Sequence, residues 1–242
     1  MSVLVAAPIA ERAWALPRWF ECLTQQSVRP DQILFVHSGD RGDETWRAIS
    51  EGALEYGFRV TRLHDPMERP KPRNDRSRFH TLTRLRNTML AVATQTTRHD
   101  HLFSLDSDIL LEDETTIEQL LDAQHAYPVT SPLTYLHPAM KWTVNAGLLP
   151  VWPGPGADLE HIPWKRAEIE PEHVELRTPQ PIDVPMGAIL MARSVYSTVR
   201  YPTPVHESGE DVGFGCALAR AGFQAAWLPW LECRHCWSEQ TL

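Results

Sequence analysis

A chain of 242 residues with 43% hydrophobic content can bury a large core, and it falls within the range that α/β folds reach as one domain. The formal net charge of -8 excludes a nucleic-acid or anionic-membrane footprint over the whole surface, which needs a basic excess, so any polyanion contact is local. No apolar run reaches the roughly 18 residues of a membrane-spanning helix. The apolar start, Val3 to Ile9, lacks a basic n-region and is soon followed by Glu11 and Arg12. It reads as a first strand and not a signal peptide, and a cytoplasmic address is expected.

In chain order, Val3 to Ala7 predicts a strand ending at Pro8, and Trp14 to Leu23 carries apolar residues at helical spacing. Gln32 to Val36 is a second strand, closed by the turn-like Ser38-Gly39-Asp40, with a helix expected from about 44 to 56. Phe58 to Leu63 gives a third strand, and Leu82, Leu85, Met89 and Val92 line one face of a helix. His101 to Leu105 is a fourth strand, so the first hundred residues alternate β and α, the pattern of a mostly parallel sheet flanked by helices. Thr115-x-x-Glu118 matches a capping box ahead of Ile117, Leu120 and Leu121.

From about 134 to 185 the periodicity breaks down into a proline-bearing stretch holding Trp142, Trp152 and Trp164, expected to be an elaborated loop region within one domain spanning 1–242. The aromatic content of this stretch favours a surface that binds something. Order returns with Gly187 to Ala192, a helix from about Glu210 to Ala221 ended by Gly222, and the apolar run Ala225 to Leu228. Cys22 and Cys216 read as small buried thiols. Cys233 and Cys236 form a C-x-x-C pair with no second pair to complete a zinc site.

Asp106-Ser107-Asp108 lies at the exit of the fourth strand. Two carboxylates two residues apart there can reach one hard cation, Mg²⁺ or Mn²⁺, which commonly bridges protein carboxylates to substrate phosphates. The bland alternative is a solvated acidic turn. Open α/β sheets place ligands at the carboxyl ends of their strands, which favours the cation site.

In this strand-proline-helix start, the Asp106-Ser107-Asp108 motif, the late Gly209-Glu210-Asp211 and His235, the sequence resembles the GT-A glycosyltransferases, especially the family 2-like group, over most of its length. The resemblance implies a GT-A nucleotide-binding fold and transfer of a hexose-type sugar from a nucleotide-diphosphate donor, UDP- or GDP-linked, to an acceptor hydroxyl, with inversion. It implies donor contacts at Ala7, Pro8 and Glu11, at Arg86 of the Arg86-Asn87 pair, and at Asp106. It implies a metal held by Asp106, Asp108 and His235, and catalysis by Asp211 as general base with Glu210 beside it. The family usually shows two acidic residues and Gly-Ser where this sequence has His37-Ser38-Gly39-Asp40. Asp40 is either a base or ribose acceptor or a plain turn residue. Arg86 either forks onto diphosphate oxygens or is an ordinary helix-surface arginine. Arg69, Lys71, Arg73, Arg76 and Arg78 form a basic loop that either clamps phosphates or is solvated charge.

Two rivals remain at the level of sequence: a nucleotidyltransferase, though Ala6-Ala7-Pro8-Ile9-Ala10 lacks the glycines of its phosphate loop, and a non-catalytic glycan or nucleotide binder on the same fold. The acceptor stays open among saccharide, lipid-linked sugar, protein and nucleic acid.

Overall fold

The structure is a computed structural model and describes residues 1–66, 76–96, 98–135, 144–236 and 238–239. The first half alternates strand and helix: β1 (Val3–Ile9), α1 (Leu16–Gln25), β2 (Gln32–His37), α2 (Glu44–Glu55), β3 (Val60–His64), α3 (Arg76–Thr96) and β4 (His101–Leu105). There follow β5 (Ile109–Leu110), α4 (Thr116–Ala123), β6 (Val129–Thr134), β7 (Ala146–Leu148), β8 (Lys165–Arg166), α5 (Pro171–Glu175), β9 (Gln180–Ile182) and β10 (Val184–Pro185). The chain then runs through β11 (Ala188–Ala192), α6 (Arg193–Tyr196), α7 (Glu210–Arg220) and β12 (Ala225–His235).

The main sheet has the order β3-β2-β1-β4-β11-β6-β12-β5, with β9 also on β12. β1, β2, β3 and β4 run parallel to one another, β11 is antiparallel to both β4 and β6, and β12 is parallel to β6. The sheet is therefore mostly parallel with one long reversed strand. Its strands read as continuous apolar runs because both faces are covered. In β1, Leu4 and Ala6 join one core cluster, shared with Leu85, Met89 and Leu90 of α3 and Phe214 of α7. Val3, Val5, Ala7 and Ile9 join the other, shared with Trp19 and Phe20 of α1, Ile49 of α2 and Leu120 of α4. The period-two alternation of a strand thus distributes one segment between two helix layers.

The stretch expected to be an elaborated loop is partly ordered as strands. β10, β7 and β8 form a small antiparallel sheet, and Val144, Ala146, Ala167 and Val184 belong to the α3-side core. α7 sits directly on β10: a side chain at Gly215 would stand 2.7 Å from the Asp183 carbonyl and 2.8 Å from Val184, so only glycine permits that approach.

The capping box does not form. Thr115 sits at φ -102°, ψ 8°, away from the extended cap conformation, and its hydroxyl donates to Asp113 Oδ1 at 2.6 Å, while Glu118 accepts from Ser27 Oγ at 2.8 Å. Among the described residues no helix is long and apolar enough to cross a membrane.

Candidate functional site

The carboxyl ends of β1, β2 and β4 open on a cleft of about 540 Å³, where α3, α7 and the end of β12 also converge. Its floor is the Asp106-Ser107-Asp108 turn between β4 and β5. That turn is clamped from three sides: Asp106 N–H donates to the Gly187 carbonyl at 2.9 Å, Ile109 N–H to the Asp106 carbonyl at 3.0 Å, and Cys236 N–H to the Asp108 carbonyl at 2.7 Å. Gly187 has φ 74°, a left-handed conformation that glycine adopts without penalty. A Cβ there would stand 2.9 Å from Ile109 Cδ1 and 3.7 Å from Asp106 Oδ2.

Strand pairing brings in the histidine. β12 runs antiparallel to β5 with His235 opposite Ile109, which sets its ring beside Asp108. His235 Nδ1 lies 3.2 Å from the Tyr135 carbonyl, an oxygen that can only accept, so Nδ1 is the donor. Nε2 faces Asp108 Oδ1, 3.7 Å away. Two electron-pair donors facing each other across a cleft wall fit a cation that accepts both oxygen and imidazole nitrogen.

Asp106 is held differently. Arg86, on α3 and only 2% exposed, donates from Nη2 to Asp106 Oδ1 at 2.9 Å and from Nη1 to Ser104 Oγ at 3.2 Å. The same guanidinium lies 3.6 Å from Glu210 Oε1 and 3.8 Å from Asp211 Oδ1 at the start of α7. Burial works against its charge, but Asp106 first, then Asp211 and Glu210, outweigh it and raise its pKa well above the ordinary arginine value. Burial also raises Asp106 and Glu210 above the usual carboxylate range, although Arg86 opposes it in both. Asp211 is pushed up to about 8, by burial above all, with the charges of Glu210 and Asp106 adding to it. Its Oδ1 is buried without a hydrogen-bond partner among the described residues.

The cleft lining brings together Pro8, Glu11, Asp106, Asp108, Glu210, Asp211 and His235 from across the chain. It does not bring in two of the expected donor residues. Ala7 is fully buried, its side chain in the core cluster of Phe35 and Leu105, because the β1 pleat turns it toward α1. Asp40 is exposed in the turn beyond β2 and lies outside the lining, where Ser38 stands instead. Arg86 lines the cleft, its guanidinium bonded to Asp106 and within 3.8 Å of Glu210 and Asp211. Asn87 is structural, exchanging two 2.9 Å hydrogen bonds with the backbone of Tyr201.

Asp106, Asp108 and His235 are not gathered into one tight triad: among the described residues, only Asp158, Glu160 and His161 bring three ligand atoms within 4.8 Å of one another. Asp108 and His235 form the convergent pair, with Asp106 kept on Arg86.

Trp164 lines the cleft, with the Arg166 guanidinium 5.4 Å from its ring centroid. A Cβ at Gly147 would meet the Trp164 ring at 2.8 Å, so this indole is packed between sheet and arginine. Trp152 is outside the lining, its Nε1 donating to the Ala219 carbonyl at 3.2 Å. Trp142, Arg69, Lys71 and Arg73 lie outside the described residues. Arg76 pairs with Glu160 at 3.4 Å, and Arg78 lines the cleft. Sequence reasoning missed Arg12, Asn145 and Arg166, which also line it.

No protein-family model matches the chain, and no curated protein matches it in sequence. Solved structures do match. The mannosyltransferase PcManGT from Pyrobaculum calidifontis, in complex with GDP-Man and Mn²⁺, is similar with TM-score 0.60 and 14% identity over 96% of this chain and 56% of that one. GalNAc-T7 with UDP, GalNAc and Mn²⁺ is similar with TM-score 0.61 and 13% identity over 98% and 43%. Residues 1–349 of S. aureus TarS follow with TM-score 0.57 and 12% identity over 98% and 60%. This chain thus spans roughly half the length of the structures it matches. The fold is the GT-A fold of nucleotide-sugar glycosyltransferases.

Proposed function

We propose that residues 1–242 form one catalytic domain that transfers a sugar from a nucleoside-diphosphate sugar to an acceptor hydroxyl, with a divalent cation and with inversion. The observation that carries the reading is the facing pair of Asp108 Oδ1 and His235 Nε2, 3.7 Å apart, in the same cleft as the half-buried carboxylate of Asp211. Two of the structures of like fold named above, PcManGT and GalNAc-T7, carry GDP-Man or UDP together with Mn²⁺, which supports a UDP- or GDP-linked donor.

Asp108 and His235 would hold the cation, and a mixed oxygen and nitrogen set suits Mn²⁺ better than Mg²⁺. The cation supplies positive charge that stabilises the departing diphosphate. Asp106, oriented by Arg86, keeps acceptor capacity for a donor hydroxyl. Asp211 accepts the proton of the attacking hydroxyl, and Glu210, joined to it through Arg86, fixes the start of α7. A base on the acceptor side with direct displacement gives inversion at the sugar carbon.

The experiment is a screen of UDP- and GDP-sugars for thermal shift and slow donor hydrolysis, with Mn²⁺ and with chelator. A cation-dependent shift with release of nucleoside diphosphate is expected. A shift without hydrolysis would point to the non-catalytic binder, and no cation effect would remove the metal from the reading.

A further inference from the structure

We propose that Arg12 is a diphosphate-binding residue of the donor site, held on Asp108 until a cation takes that carboxylate. This rests on the glycosyltransferase reading above, and no sequence motif marks the residue.

Among the described residues, two arginines reach the Asp106-Ser107-Asp108 turn, and they are held in opposite ways. Arg86 is 2% exposed and locked among three carboxylates. Arg12 is 28% exposed and makes a single contact with the turn, Nε to Asp108 Oδ2 at 3.2 Å. The fork geometry that makes arginine a strong anion binder is left unused. Its other neighbours are weak: the Glu11 carbonyl at 3.5 Å from Nη1, and the Trp14 ring, 5.8 Å from centroid to guanidinium carbon.

The backbone at Arg12 is fixed by hydrogen bonds, whereas its side chain is held on the turn only through Nε. Arg12 N–H donates to Thr45 Oγ1 at 3.2 Å, and its carbonyl accepts from Ala15 N–H at 3.0 Å. Glu11 just before it has φ 52°, the left-handed region that a residue other than glycine adopts at a cost. That turn carries Arg12 away from the path of β1 and into the cleft lining. Exchange of partners therefore requires rotation of the side chain alone.

Asp108 faces both groups, one with each oxygen. Its Oδ1 faces His235 and its Oδ2 faces Arg12, so a divalent ion on this carboxylate meets the guanidinium as a like charge, with twice the repulsion of a univalent one. A second anion that reaches both relieves that repulsion. A diphosphate bridging the cation and the released guanidinium is that anion, and its oxygens match the arginine fork. Arg12 then opposes the cation when no donor is present and supports the donor once the cation is bound.

Calorimetric titration tests this with Mn²⁺ alone, and with UDP, GDP and their monophosphates in saturating Mn²⁺, on the full chain and on Arg12→Gln and Arg12→Lys. Thermal midpoints control for folding. Arg12→Gln is expected to bind Mn²⁺ alone severalfold more tightly, and to bind the preferred diphosphate about tenfold more weakly, the usual worth of a charge-assisted hydrogen bond. Arg12→Lys should recover part of the diphosphate affinity, and monophosphate affinity should change little. Weaker or unchanged Mn²⁺ binding in Arg12→Gln, or undiminished diphosphate affinity, overturns the assignment. Failure of the wild type to bind either diphosphate would overturn the glycosyltransferase reading along with it.

Discussion

Arg86 Nη2 lies 2.9 Å from Asp106 Oδ1 and 3.8 Å from Asp211 Oδ1, so one buried nitrogen ties the end of β4 to the start of α7. Opening the pair from the arginine side leaves carboxylates buried without compensation. Arg86→Met is expected to cost about 3–5 kcal/mol, the range for breaking a buried ion pair by removing one partner. Arg86→Lys, which keeps charge but not the fork, should cost less. Urea unfolding of the three proteins measures this, and a wild-type midpoint in Arg86→Met would mean that the network contributes nothing to stability.

For the cation pair, Asp108→Asn is expected to abolish the Mn²⁺-linked thermal shift while the apo midpoint stays close to wild type, since the side chain lies at the cleft surface. His235→Ala should weaken the shift without abolishing it, because a carboxylate remains. An unaltered shift in Asp108→Asn would move the cation elsewhere, and Asp158, Glu160 and His161 would be the next place to look.

Gly187→Ala tests the support of the turn. At φ 74° an alanine is strained, and its methyl would crowd Ile109 and Asp106. A loss of about 1–2 kcal/mol in stability is expected, with weaker nucleotide binding in the presence of Mn²⁺. Stability lost with affinity intact would show that the turn tolerates the shift.

The fold was legible wherever its signals are local. β1 to β4 announce themselves as apolar runs with turn residues behind them, and α7 ends as its Ala-Gly-Phe reads: Gly222, at φ 79°, donates to Ala219 and Phe223 to Leu218. The Asp106 and Asp108 pair was legible because strand exit and spacing are both local. What was hidden depends on partners far apart in sequence. Arg12 is a plain loop arginine until a residue 96 positions away accepts from it. Arg86 looks like a surface helix residue until folding surrounds it with Ser104, Asp106, Glu210 and Asp211. β7, β8 and β10 are two or three residues long, too short for any periodicity, and exist only because they pair with one another. His235 was reached through resemblance alone, since its placement follows from the β12–β5 register.

The final prediction concerns Asp211 and its pH dependence. Its carboxyl is pushed up to about 8 in the fold, against about 3.9 unfolded. A raised folded value means that the folded state holds the proton more tightly, so this group's stabilising contribution is complete below about pH 4 and is lost as pH rises through about 8. Asp211→Asn keeps the shape and lacks the titration. The variant should therefore gain stability relative to wild type as pH increases from 4 to 8, by chemical unfolding of the metal-free protein.

Activity runs the other way, because a base must be deprotonated to accept the hydroxyl proton. Wild-type turnover is expected to rise with pH along an acid limb whose midpoint exceeds the ordinary carboxylate range, and a cation at Asp108 in the same cleft should draw that midpoint down. Asp211→Asn should reduce turnover about 10²- to 10⁴-fold with donor affinity little changed. Lost donor binding with intact turnover would assign Asp211 to the nucleotide side, and near-normal values of both would leave it as an acidic residue favoured by the start of α7.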